Sequence, residues 1–124
     1  MKYFLMLFIW LSGTAVLAKE PPQFVRFRPV IVSTYEDTRI SGFLSVTLHV
    51  QAEDRDARER IERARPKLQD AFTRAAIELG QLYVSPKRKL DFTLLARRMQ
   101  AAASAAVPGE KLRVYVVDAS TRRV

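Results

Sequence analysis

The hydrophobic pattern of this 124-residue chain changes period sharply at Glu53-Asp54, and that change limits which architectures are open to it. Before it, Leu44, Val46, Leu48 and Val50 recur at every second position, with Phe43, Ser45, Thr47, His49 and Gln51 between them. That alternation predicts a strand with one buried face. After it, Ala57, Ile61, Ala64, Leu68, Ala71 with Phe72, Ala75 and Leu79 recur at steps of three and four, which predicts an amphipathic helix. Asp54 is placed to cap its start, Asp56 favours the positive helix end, and Gly80 stands where a left-handed closing residue is wanted. Pro66 falls in the middle, where it lacks a backbone donor and crowds the Glu62 carbonyl, so the helix should be kinked or divided there.

The flanking segments extend the pattern. Phe24-Val25-Arg26-Phe27-Arg28 alternates, Pro29 interrupts, and Val30-Ile31-Val32 continues, which reads as a strand broken or bulged at an edge or bend. A polar interval at 35–39 then turns the chain into the strand at 40–51 as a hairpin, with Gly42 marking a bulge. Leu82, Tyr83 and Val84 form a short link, Asp91 can cap a second helix with Phe92, Leu95, Met99, Ala102 and Ala106 as its stripe, and Val107-Pro108-Gly109 stop it. Residues 112–117 read as a closing strand, and the polar, basic stretch 118–124 is expected to fray. The order strand, strand, long helix, second helix, strand predicts an α+β two-layer domain. In it a small, mostly antiparallel sheet carries two helices on one face, one of them kinked at Pro66. Periodicity leaves the pairing of the last strand open.

Residues 3–18 carry no charge, follow Lys2 and end in Ala15-Val16-Leu17-Ala18. Residues 1–18 therefore read as a secretory signal cut between Ala18 and Lys19. The run falls just short of a spanning helix, and a retained short membrane anchor is the competing reading. Residues 19–23 then form a linker, 24–120 a single domain and 121–124 a basic tail. Cysteine is absent, so no disulfide or thiolate site is available. With 21 Lys and Arg against 13 Asp and Glu, the net charge of +8 suits an anionic lipid surface or an acidic protein face. Export makes nucleic acid the least suitable partner.

The residues offer no convincing active site. His49, the single histidine, has no sequence-near carboxylate or second ligand, and the four glycines are scattered and form no phosphate-cradling loop. Glu36-Asp37 read as hairpin-turn residues. We expect no catalytic residue, no cofactor and no metal. Acid-first pairs four apart (Asp54 with Arg58, Asp56 with Arg60, Glu59 with Arg63) describe a solvated helix face. Less balanced are Lys87-Arg88-Lys89, Arg97-Arg98 and Arg122-Arg123. The first two clusters, Lys87, Arg88, Lys89, Arg97 and Arg98, are the candidate contacts for an anionic surface or partner.

Taken in order, Gly42-Phe43-Leu44-Ser45-Val46-Thr47-Leu48-His49-Val50, then residues 61–72 with Pro66 followed by Lys67, Leu68 and Asp70, then 90–106 and 112–117, resemble the flagellar basal-body-associated FliL family. The resemblance runs from about Phe24 to about Ser120 and divides into a long central strand, a helix with proline, a second helix and a closing strand. It implies a stomatin-like fold and a periplasmic domain attached to the inner membrane. It further implies a non-catalytic role in motility, beside the stator or basal-body proteins of the motor, with self-association into homo-oligomers. The segment 81–89 and the helix end at 101–106 depart from the family's usual residues. The competing function is a secreted basic binding module for an anionic envelope surface or an acidic protein.

Overall fold

The computed structural model describes residues 21–124; the expected cleavage point at Ala18 and Lys19 lies outside the described residues. Four strands and three helices follow in the order β1 (Gln23–Arg26), β2 (Val30–Glu36), β3 (Arg39–Ala52), α1 (Arg55–Arg63), α2 (Arg65–Leu82), α3 (Phe92–Ala106) and β4 (Leu112–Arg123). The domain is α+β, with one antiparallel sheet. β1 and β2 share one side of the long β3, and β4 pairs antiparallel along its other side. The break at Pro29 thus falls at a sheet edge, where a missing donor costs no ladder bond.

β3 is the spine. Leu44, Val46, Leu48 and Val50 are fully buried toward the helices, where they meet Ile61, Leu68, Phe72, Leu79, Leu95 and Met99. Phe72 packs edge-on against Phe27, with ring centroids 5.3 Å apart, and the Arg65 guanidinium lies over the far ring at 4.8 Å. Asp54 and Asp91 cap α1 and α3 by accepting the Ala57 and Leu94 N–H groups at 2.8 and 3.1 Å.

Five expectations are corrected. The long helix is two helices, so there are three among the described residues. The division falls at Ala64, and Pro66 sits in the first turn of α2, where its missing N–H has no partner to lose. Gly80 does not close the helix, which continues to Leu82. It is buried against β2, where only glycine fits, because a Cβ there would overlap the Ser33 carbonyl. The segment 118–124 does not fray: β4 runs through Arg123, paired as far as Gly42, so the basic tail at 121–124 is largely strand. Gln23, assigned to the linker, starts β1. Phe92 is half exposed, and Ala103 takes the buried place expected of Ala102. β3 does carry a bulge beside Gly42: Thr34 pairs with Gly42 and Tyr35 with Ile40, leaving Ser41 unpaired between them.

The β2–β3 turn holds Asp37 and Thr38 at φ of 49° and 73°. Two positive φ values suit the twist of a two-residue hairpin, but a β-branched residue resists them. Thr38→Gly is therefore expected to raise stability by about 1 kcal/mol. Thermal unfolding of the two forms checks it.

Candidate interaction surfaces

The link from α2 to α3 is anchored by one buried serine. Ser85 Oγ donates to Glu36 Oε1 at 2.5 Å and accepts the Lys87 N–H at 3.2 Å, while its carbonyl accepts the Arg88 N–H at 3.1 Å. The loop is thereby tied to the end of the β2–β3 hairpin. Lys87 Nζ completes the site at 3.2 Å from Glu36 Oε2. The Ser85 hydroxyl, and after it the Lys87 ammonium, hold the Glu36 carboxyl below the usual carboxylate range. A depressed carboxylate stabilises the fold above its unfolded-state pKa, and that contribution fades as pH falls through the folded-state value. In Glu36→Gln, the fall of Tm on acidification is expected to be shallower than in the parent, as measured by melting from neutral to acid pH.

The five cations singled out in the sequence do not form one patch. Lys87 is engaged by Glu36, and Arg88 lines a surface hollow beside it with Tyr35, Asp37 and Tyr83. Lys89 is exposed. Arg98 lies over the Tyr83 ring at 5.0 Å and reaches Glu78 at 3.4 Å, on the side of α3 toward α2. Arg97 projects to the opposite side, into a shallow groove between α3 and β4 that also holds Phe92, Gln100, Arg113 and Val116. Two of the five, Lys87 and Arg98, thus have side-chain partners, because the folded chain brings Glu36, Glu78 and Tyr83 from other elements.

Among the described residues, no helix covers the outer face of the sheet. Phe24 and Arg26 of β1, Gln51 and His49 of β3, and Arg113 and Tyr115 of β4 form adjacent rows by register. The Phe24 and Tyr115 rings lie 6.3 Å apart, and Tyr115 Oη donates to Gln51 Oε1 at 2.9 Å. His49 is half-buried in that row, opposite Arg26 and Tyr115. Asp37, the other half of the turn pair, is exposed at the hairpin tip.

Of the ion pairs expected along α1, Glu59 with Arg63 forms at 3.9 Å, whereas Arg60 turns to Glu110 at 2.9 Å. Glu110 lies just ahead of β4, so the pair fastens that turn to α1; its hydrogen bonds push the Arg60 pKa up. Sequence reasoning missed Arg60–Glu110 and Ser85–Glu36 because each joins residues about 50 positions apart.

Among the described residues no cluster of three His, Cys, Asp or Glu could hold a metal, and no helix is long and apolar enough to cross a membrane. Comparison with family models, with curated proteins and with solved structures returned no match.

Proposed function

We propose that this chain is a non-catalytic, periplasmic scaffold or modulator of the flagellar motor, contacting stator or basal-body proteins at the inner-membrane surface and associating with itself. The supporting observation is positional. The four segments that resemble the FliL family fall on β3, on the α1–α2 pair, on α3 and on β4, which pack as consecutive parts of one domain. Pro66 of the second segment lies in the first turn of α2, so the proline shared with the family coincides with a helix start. In this reading the fold is the stomatin-like one, and the helical layer, with Arg97 and Arg98 on α3, meets the motor partner.

Swimming speed in media of low and high viscosity tests the proposal, in a deletion strain with intact filaments against the complemented strain. A deficit that grows with load is expected. Equal speeds in both media would overturn it.

The alternative is a secreted basic binding module for an anionic envelope surface. What favours it is the convergence of Arg97 and Arg113 on one groove, with no ion pair to either among the described residues. Sedimentation with anionic vesicles that weakens with salt, without any motility defect, would select that reading.

A further inference from the structure

The two edges of the sheet are finished differently. On the β1–β2 side Pro29 interrupts the strand, and Arg65 Nη1 donates to the Arg26 carbonyl at 2.8 Å. On the β4 side, Gln100 of α3 occupies the edge as a neighbouring residue of a further strand would. Its Oε1 accepts the Val114 N–H at 2.8 Å and its Nε2 donates to the Leu112 carbonyl at 3.1 Å. Beyond Val114 no side chain closes the edge in this way among the described residues. The Val124 N–H donates to the Ser41 carbonyl at 3.2 Å. By strand alternation, the main-chain groups of Asp118, Ser120 and Arg122 also turn to β3, and those of Ala119, Thr121 and Arg123 turn outward. Such a free edge is a template for strand pairing.

We infer that this edge pairs with the same edge of a second copy of the chain, antiparallel about a twofold axis at Ser120. Charge sets the register. Asp118, Ser120 and Arg122 lie on the outer face, since they pair with Thr47, Ser45 and Phe43 of β3. With Ser120 opposite its own copy, Asp118 of each chain stands directly across from Arg122 of the other, giving two reciprocal opposite-charge pairs. Ala119 then faces Thr121, and their outward N–H and C=O groups exchange hydrogen bonds with no bulky side chain between them. A shift of two residues either way sets Asp118 opposite Ser120 or Val124 and removes both ion pairs. A shift of one turns outward groups against groups committed to β3.

The contact is isologous, so it closes as a pair and not as an open chain. It names a surface for the self-association proposed above but stands on strand geometry alone, so its failure leaves the motor reading in place.

The chain has no cysteine, so Ser120→Cys in the full-length protein introduces one thiol, at the axis. The two thiols would face each other in a non-hydrogen-bonded pair, where a Cα spacing of about 4.5–5.5 Å suits a disulfide. Mild oxidation is expected to give a linked dimer on a non-reducing gel, whereas Ser104→Cys, exposed on α3, stays monomeric. In the Ser120→Cys background, Asp118→Arg alone or Arg122→Asp alone should cut the linked fraction about fivefold, and the two together should restore it. Circular dichroism establishes that each variant is folded. Cross-linking no better than that of Ser104→Cys, or failure of the double charge swap to restore it, would overturn the inference.

Discussion

Phe72→Ala is expected to cost about 4 kcal/mol of stability, most of what a domain of this size possesses. Phe72 is fully buried on α2 and fills the centre of the helix–sheet interface, with its ring edge-on to Phe27. Removing it deletes the transfer energy of the ring and leaves a cavity that rigid neighbours cannot close. The Phe27 N–H is held by the Leu48 carbonyl at 3.1 Å, and β3 beneath it is paired on both sides. The Arg65 guanidinium that lies over Phe27 would also lose the packed support of that ring. For roughly 100 ordered residues a loss of this size corresponds to a fall in Tm of about 20 °C. Phe72→Leu, which keeps most of the volume, should recover more than half of it. A variant that melted within a few degrees of the parent would show that the core is not centred on this side chain.

The sequence announced this core because the buried positions obey a local rule. Leu44 to Val50 at period two and Ala57 to Leu79 near period 3.6 are all read within one element, and the two aspartate caps are legible for the same reason. What escaped depends on a second element arriving from far away. Gly80 looks like a helix end until Ser33 of β2 is seen against it. Residues 118–123 look like a polar tail until β3 is seen to extend past them, because strand pairing satisfies the backbone whatever the side chains are. The cations behave alike. Lys87 and Arg98 stand among unbalanced positive charges in the sequence, yet Glu36 and Glu78 meet them in space. Gln100 carries no local mark at all. Its role follows only from the position of α3 beside the β4 edge.

Gly42→Ala provides the second large effect, and two opposed terms decide it. Alanine is the better residue in a regular strand by about 0.5–1 kcal/mol, since glycine loses more backbone freedom on folding. Gly42 has no positive φ, so the backbone itself would accept a side chain. The space would not. A Cβ at this position falls on the Arg122 carbonyl oxygen of β4, and Pro86 Cγ stands 2.8 Å away on the other flank. Neither neighbour is the free end of a flexible side chain. The carbonyl belongs to a strand paired in register with β3, and Pro86 follows Ser85, which Glu36 holds at 2.5 Å. Relief therefore requires the end of β4 to lift from β3 or the 85–88 turn to detach from the hairpin. Overpacking of this kind costs about 1–3 kcal/mol or more, which outweighs the gain from alanine and leaves a net loss of about 2 kcal/mol. The expected result is a Tm lower by about 10 °C. Amide exchange should accelerate most in 119–124 and around 85–88, while the Leu44 to Val50 core stays protected. Uniform acceleration throughout the domain would mean that the strain spreads into β3 and is not confined to the contact with β4.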